Sequence, residues 1–148
     1  MAEIGRVMAA VDLEGGSEPI LGFASNLARA AGSELIVLHV ISPEEQEERA
    51  HNPGESRFVD VMIRDAERTL QEIVDASGAG DQEVRCVARV GEPVDEILKI
   101  ADETDCTIVI GMRRRSRVGK FLLGSDLQEI LLATSRPIVT VPIEGGGV

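Results

Sequence analysis

The sequence predicts an α/β protein built on an open, doubly wound sheet of five parallel strands with helices on both faces. Short apolar runs of strand length alternate along the chain with longer segments whose apolar residues recur at helical spacing. The run Leu35–Ile41 is nearly all apolar, as expected for a strand covered on both faces. Strands that alternate with helices form βαβ units, and these units give a parallel sheet. The length of 148 residues suits a single domain over residues 1–148.

Each predicted strand is an apolar run bounded by a charged, glycine, proline or other turn-forming residue. The third run alternates charged and apolar residues, which is typical of a strand near the edge of a sheet. The last run is bracketed by prolines. The predicted strands are Arg6–Asp12, Leu35–Ile41, Glu83–Val90, Cys106–Ile110 and Pro137–Pro142.

Four helices are predicted from apolar spacing and from residues that start or stop a helix. Ser17 is a good N-cap residue for the first helix, and Gly32 fits its C-terminal cap. The last helix begins with Ser125-Asp-Leu-Gln128, which matches a capping box. The predicted helices begin after Ser17, near Arg57, at Pro93 and at Ser125.

Two segments are predicted to lack regular structure. Residues 42–57 are acidic and include Pro43, Pro53 and Gly54, so we predict a mobile loop there. Residues 143–148 contain three successive glycines and are predicted to form a disordered tail.

The composition excludes several classes of partner. The chain has 15 basic and 26 acidic residues, for a net charge of −11, which argues against binding to nucleic acid or to an anionic membrane. The sequence contains no signal-like run and no apolar stretch long enough to span a membrane. Cys86 and Cys106 lie in apolar strand-like runs, and we predict two reduced, buried thiols in a cytoplasmic protein.

The segment Gly111–Ser125 concentrates positive charge on this acidic chain. It holds five of the 15 basic residues within eight positions, and it connects a predicted strand to a predicted helix. That arrangement presents backbone N–H groups to a phosphate, although a solvated basic loop is the alternative interpretation. Ligands of open parallel sheets bind at the carboxyl ends of the strands, where Asp12 and Gly111 lie. If the first and fourth strands are neighbours, these two residues face one crevice.

The glycine spacing in this segment distinguishes between phosphate-binding motifs. Walker A fails because Phe121 follows Gly119-Lys120 where a hydroxyl residue is required, and the dinucleotide fingerprint is absent after the first strand. The chain instead resembles the universal stress protein family, whose ATP-binding members carry Gly, two residues, Gly, nine residues and Gly-Ser/Thr after the fourth strand. Gly111, Gly124 and Ser125 stand in register with that pattern, and Arg114 replaces the second glycine.

The resemblance covers essentially the whole chain. The first strand ends in Ala10-Val11-Asp12, the second contains Leu38-His-Val40, and the last reads Pro137-Ile-Val-Thr-Val141, all of which are similar to the family. It implies the fold of the adenine nucleotide alpha hydrolase-like proteins, with strand order 3-2-1-4-5. It also implies a homodimer through the fifth strand, Pro137–Val141, whose uncovered edge favours pairing.

The resemblance further implies an adenine-nucleotide site for ATP or AMP, with or without Mg²⁺. Ala10, Val11 and Asp12 would line the adenine and ribose side, and the Val40 backbone would meet the adenine edge. Gly111 would let the chain pass close to the ribose and phosphates. The implied binding residues are Ala10, Val11, Asp12, Val40, Ile110, Gly111, Arg113, Arg114, Gly124, Ser125 and Asp126.

Several alternatives remain open for these residues. Arg114 either donates a bidentate contact to a phosphate or crowds it out, and Asp126 competes with phosphate for the N–H groups of the helix start. Asp12 is either a ligand contact or a turn residue. A second hypothesis is therefore a dimeric interaction module that binds no nucleotide. His39 is interpreted as a core histidine with satisfied hydrogen bonds.

The sequence does not favour an enzyme. No nucleophile–base pair, metal cluster or paired carboxylates stand out, so we expect a regulatory module in stress adaptation, with at most slow ATP hydrolysis. A nucleotidyl-transfer enzyme would need a histidine-bearing motif near the first strand, and a phospho-receiver domain would need a lysine after the fifth.

The register of Gly124 gives a first prediction. Gly124→Val should abolish the binding of adenine nucleotide while the fold stays intact, because a side chain at this position would stand where the backbone meets phosphate. Isothermal titration calorimetry measures the affinity, and circular dichroism checks the fold. An unchanged affinity in a folded variant would place the ligand elsewhere.

Overall fold

The computed structural model describes residues 4–13, 15–113 and 125–143, and it contains one sheet of five parallel strands. The strand order is β3-β2-β1-β4-β5, so the predicted fold class and strand order are confirmed. The predicted edge position of the third strand is also confirmed. The strands are β1 (Arg6–Ala10), β2 (Leu35–Ile41), β3 (Val84–Val90), β4 (Cys106–Arg113) and β5 (Ile138–Ile143).

Five α-helices and one 3₁₀ turn, Ala79–Asp81, connect the strands in the described ranges. The four helices predicted after Ser17, near Arg57, at Pro93 and at Ser125 begin at Glu18, Val59, Pro93 and Ser125. No helix in the described part of the chain is long and apolar enough to cross a membrane. The helices are α1 (Glu18–Ala31), α2 (Pro43–His51), α3 (Val59–Ser77), α4 (Pro93–Thr104) and α5 (Ser125–Ala133).

Two apolar layers cover the two faces of the sheet. Successive side chains of β1 point to opposite faces, so Val7 and Ala9 join one layer and Met8 joins the other. Helices α1 and α3 pack on the first face, and α4 and α5 pack on the second. Because both faces are covered, the middle of β1 (Val7, Met8 and Ala9) and nearly all of β2 are buried, as their apolar sequences predicted.

The prediction of a mobile loop over residues 42–57 is wrong for Pro43–His51, which form α2. The Ser42 hydroxyl accepts a hydrogen bond from the Glu45 N–H at 3.1 Å, and Pro43 occupies the first turn. Helix α2 buries no residue, so its sequence lacks the apolar period that reveals a packed helix. The sequence does contain the signals of a helix start, which are Ser42, Pro43 and Glu45, and these could have indicated α2.

Other element ends differ from the predictions by a few residues. Strand β4 continues three residues past Ile110, because β5 extends alongside it as far as Ile143. Ile143 therefore belongs to a strand and not to the predicted tail, of which residues 144–148 lie outside the described ranges. Gly32 has φ 63° and ends α1 as predicted.

The two cysteines are free, as predicted, but only Cys106 is fully buried, and Cys86 is half-buried. Burial, together with the smaller effect of the nearby carboxylates of Asp75 and Glu67, raises the pKa of the Cys86 thiol to about 11. Burial also raises the pKa of Cys106. Both thiols are therefore protonated at neutral pH and weakly nucleophilic.

Candidate functional site

A crevice of about 460 Å³ opens at the carboxyl ends of β1 and β4. Strand β1 pairs with β2 on one side and β4 on the other, so the crevice lies where the strand order reverses. This is the position at which open parallel sheets bind ligands, and the volume falls within the roughly 300–1,000 Å³ typical of ligand sites. Residues of α1, α4 and α5 complete its walls.

The predicted adjacency of the first and fourth strands is confirmed by the β1–β4 pairing, in which Ala9 lies opposite Val109. Arg113 ends β4 and Ser125 begins α5, whereas Arg114 and Gly124 lie outside the described residues. The predicted site residues that line the crevice are Ala10, Val11, Asp12, Val40, Ile110, Gly111 and Asp126.

The turn after β1 is held by Ser17. Its hydroxyl accepts from the Asp12 N–H at 3.0 Å and donates to the Asp12 carbonyl oxygen at 3.2 Å. Ser17 is the N-cap residue of α1, as predicted, but its hydroxyl bonds across the turn and makes no cap hydrogen bond. The Ser17 carbonyl still accepts the first helical bond, from the Leu21 N–H at 2.9 Å.

His39 forms part of the crevice wall, which the sequence analysis did not predict. The imidazole Nδ1 lies 2.9 Å from the Val11 carbonyl oxygen, and Nε2 lies 2.9 and 3.1 Å from the two carboxylate oxygens of Glu45. The side chain is buried, and both of its nitrogens have partners, so the interpretation of a satisfied core histidine is confirmed.

The backbone of Val40 faces the crevice. The Val11 N–H donates to the Leu38 carbonyl at 2.9 Å, and the β1–β2 pairing ends with Ala10 opposite Leu38. In a strand, the N–H and C=O groups of alternate residues point to the same neighbour. The N–H and C=O of Val40, two residues after Leu38, therefore point past the end of β1.

Gly111 is closely packed on the α1 face of the sheet. A Cβ atom at this position would lie 2.8 Å from the Cδ1 atoms of both Ile20 and Ile143, closer than real Cβ contacts. The glycine also lines the crevice through its backbone. The structure thus supplies a reason for a glycine here that the sequence analysis, which considered only the ligand, missed.

The described walls of the crevice carry negative charge. Asp12 and Asp126 are exposed and line it, and no lysine or arginine from the described ranges does so. Asp126 lies in the first turn of α5, where a carboxylate is favoured by the helix dipole and competes with an anionic ligand. Within these ranges no three His, Cys, Asp or Glu residues are arranged to hold a metal ion.

The model of the Universal stress protein family matches residues 3–142. The chain belongs to the universal stress protein family. A universal stress protein of Mycolicibacterium smegmatis is 40% identical over 55 residues, which are 36% of this chain and 42% of that protein. The match therefore spans less than half of the length of this curated relative.

Two solved structures of universal stress proteins from Archaeoglobus fulgidus are similar over nearly their whole length. One is 30% identical with a TM-score of 0.67, and the match covers 93% of this chain and 98% of that one. The other, a complex with dAMP, is 29% identical with a TM-score of 0.64, and the match covers 95% and 99% of the two chains. The family and the fold are thus supported by both sequence and structure.

The contacts of Gly111 predict a steric coupling within this universal stress protein fold. Gly111→Ala should lower the free energy of unfolding by about 1–3 kcal/mol, because the added methyl overpacks against two isoleucines. The cost should fall by about 1 kcal/mol or more in an Ile20→Val/Ile143→Val background, which removes both Cδ1 atoms. Denaturant unfolding followed by circular dichroism measures each variant, and additive costs would contradict the contact.

Proposed function

We propose that this universal stress protein binds an adenine nucleotide, ATP or AMP, reversibly in the crevice at the ends of β1 and β4. The observation that carries the proposal is that this one crevice gathers residues of the family's nucleotide-site pattern from three separate strands. The related Archaeoglobus fulgidus protein in complex with dAMP supports an adenine ligand. Gly111 and the pair Gly124-Ser125 stand in register with the glycine pattern of the ATP-binding members.

The adenine base is assigned to the notch between β2 and the end of β1. Its Watson–Crick edge presents a hydrogen-bond donor beside an acceptor, and the C=O and N–H of Val40 offer the complementary pair. Such buried polar matching discriminates strongly against a base with the opposite arrangement. Ala10, Ile110 and Pro93 supply apolar surface for the faces of the ring.

The ribose is assigned to Asp12. The two hydrogen bonds between Ser17 and the Asp12 backbone hold this residue at the mouth of the crevice. A carboxylate accepts hydrogen bonds from sugar hydroxyl groups, and such charge-assisted bonds are stronger than neutral ones. The proposed contact places the sugar between β1 and α1.

The phosphates are assigned to the start of α5. The unpaired N–H groups and the dipole of a helix N-terminus favour an anion, and Asp126 places this end of α5 at the crevice. By resemblance, Gly124 and Ser125 donate to phosphate there, and Arg113 and Arg114 supply positive charge. Any Mg²⁺ would arrive with the phosphates, since the described residues offer no metal site of their own.

The proposed role is regulatory binding in stress adaptation and not rapid catalysis. His39, the histidine of the crevice wall, already has partners at both nitrogens, so the proposal gives it no role as a base and allows at most slow ATP hydrolysis. The free thiols of Cys86 and Cys106 favour a reducing compartment, and we place the protein in the cytoplasm.

Two carboxylates of the crevice should have opposite effects on binding. Asp12→Asn should weaken both adenosine and ATP about tenfold or more, because a charge-assisted bond to the ribose is lost. Asp126→Asn should tighten ATP several-fold and leave adenosine unchanged, because it removes a negative charge beside the phosphates only. The two substitutions change the net charge equally and serve as controls for each other.

Isothermal titration calorimetry with ATP, AMP and adenosine, with and without Mg²⁺, measures these affinities. If folded wild-type protein gives no heat of binding with any of these nucleotides at millimolar concentration, the proposed function is contradicted. Equal effects of Asp126→Asn on ATP and adenosine would contradict the placement of the phosphates.

A second candidate function is a dimeric interaction module that binds no nucleotide. The observation that favours it is Asp126, a carboxylate that lines the crevice in the first turn of α5, where it competes with phosphate for the helix N–H groups. The calorimetric experiment separates the two candidates. Mass spectrometry of small molecules released from freshly purified protein gives an independent answer and names the nucleotide.

A homodimer through the edge of β5 is also proposed. Strand β5 is the last strand of the sheet, and the Pro137 carbonyl accepts from the Ile108 N–H of β4 at 2.9 Å. By alternation, the N–H and C=O of Ile138 and Thr140 point outward, where a second β5 can pair with them about a twofold axis. Pro142 points its nitrogen to the same edge and lacks the donor, which limits how far the pairing extends.

Thr140 provides the test of this edge. Thr140→Pro removes an outward N–H without removing a β4 bond, so it should weaken self-association about tenfold or more while the monomer stays folded. Thr140→Val keeps the N–H and the branched side chain, and it should associate like the wild type. Sedimentation equilibrium measures the mass, and a Thr140→Pro dimer as tight as the wild type would place the interface elsewhere.

A further inference from the structure

The backbone at the end of β1 is held by groups from two places in the chain, Leu38 and His39 of β2 and Ser17 before α1. The Val11 N–H donates to the Leu38 carbonyl of β2 at 2.9 Å, and the Asp12 N–H and C=O both bond to Ser17. The remaining group, the Val11 carbonyl, lies 2.9 Å from Nδ1 of His39. Every polar backbone group of this two-residue segment is therefore fixed, and the two residues line the crevice.

The hydrogen-bond chemistry assigns donors to the His39 ring. A carbonyl oxygen only accepts, so Nδ1 must carry the hydrogen of the bond to Val11. Nε2 faces both carboxylate oxygens of Glu45, at 2.9 and 3.1 Å, and a hydrogen must lie between these groups as well. Both nitrogens of the ring are thus held by hydrogen bonds, and the partner of Nε2, Glu45, lies on α2.

Glu45 is itself oriented on α2. Its Oε2 accepts from Nε of Arg49 at 3.0 Å, one helical turn along. A second crevice of about 370 Å³ adjoins the first, and Asp12 and His39 line both. The other charged residues that line the second crevice are Glu44, Glu45, Glu48, Arg49 and Glu55. Arg49 is thus the cation that offsets the carboxylates around His39 among these lining residues.

Helix α2 has few other means of attachment, since none of its residues is fully buried and only Ala50 packs partly buried against a described core cluster. The side chain of His39 is 5% exposed and that of Glu45 is 27% exposed, so their contact is largely shielded from water. A shielded ion pair or shared-proton contact holds its geometry better than a surface pair, which contributes little.

We infer that His39 is a positioning residue of the nucleotide crevice, and that Glu45 of α2 holds it in place. His39 fixes the Val11 carbonyl, and through it the backbone that presents Asp12 to the ligand. The inference rests on the proposed nucleotide binding and adds to it a connection: whatever moves α2 also loosens the ribose side of the crevice.

The first test is spectroscopic and needs no ligand. The chain contains only two histidines, His39 and His51, so the imidazole nitrogens can be assigned with a His51→Gln variant. In ¹⁵N-labelled protein, the Nδ1–H of His39 should give a signal that is protected from exchange with water, because the Val11 carbonyl oxygen accepts this hydrogen. A rapidly exchanging ring with a single averaged signal overturns the inference.

The second test removes the hydrogen bond between α2 and His39. Glu45→Ala should speed the exchange of the Val11 and Asp12 amide hydrogens about tenfold and weaken AMP about tenfold, since the loss of one buried hydrogen bond is of that order. Glu45→Gln still offers an oxygen to Nε2 and should restore both values to near those of the wild type. Glu47→Ala is the matched control on the exposed face of α2, and it should change neither value more than about twofold.

The outcomes separate the inference from the proposed function. Because α2 buries no side chain, the Glu45 variants should keep the fold, which circular dichroism checks. Unchanged amide exchange and AMP affinity in Glu45→Ala overturn the inference even if the wild type binds AMP. If the wild type binds no nucleotide, the proposed function fails, and amide exchange alone tests the inference. Faster exchange of the Val11 and Asp12 amides in Glu45→Ala than in Glu47→Ala supports the role of Glu45. Equal exchange in the two variants overturns it.

Discussion

The central strand β1 is shorter than both of its neighbours, and the crevice depends on this difference. Pairing with β2 ends at Ala10, whereas β2 continues to Ile41 and β4 continues to Arg113. Two longer strands therefore border a notch in the middle of a covered sheet. A longer β1 would have formed hydrogen bonds with backbone groups of its neighbours that instead face this notch. Because a buried polar group needs a hydrogen-bond partner, these groups are available to a ligand. Helices α1, α4 and α5 enclose it and limit the access of water.

The notch also explains how a fold with an apolar interior presents polar specificity. The side chains of β1 and β2 pack in the two core layers. The polar groups available to a ligand at the notch are therefore main-chain atoms and the side chains of the turn that follows β1. The backbone of Val11 and Asp12 is held in place because His39 and Ser17 bond to it. A rigid site loses little conformational entropy when a ligand binds, which favours affinity from a small number of contacts.

The fold could be predicted well from the sequence because both sheet faces are buried, which gives long apolar runs and a clear helical period. Helix α2 could not be predicted from periodicity, since it packs no apolar stripe and only its cap at Ser42 reveals it. The positions of Asp12 and Gly111 followed from the rule for parallel sheets. The roles of Ser17 and His39 did not, because each bonds to the backbone of a distant or non-helical residue, and no local pattern in the sequence encodes such a bond.

The contact of Gly111 with Ile143 joins two parts of the molecule that have separate proposed tasks. Gly111 borders the crevice, and Ile143 ends the edge strand that would pair in a dimer. A ligand that shifts the backbone of Gly111 toward Ile143 would press on its side chain, and a partner that fixes β5 would resist that shift. Thermodynamic linkage makes the two effects equal, so occupancy of the crevice and self-association would change each other's equilibrium constants by the same factor. Ligand titrations at two protein concentrations would then differ, and the direction of the difference would show whether assembly and binding cooperate or oppose each other.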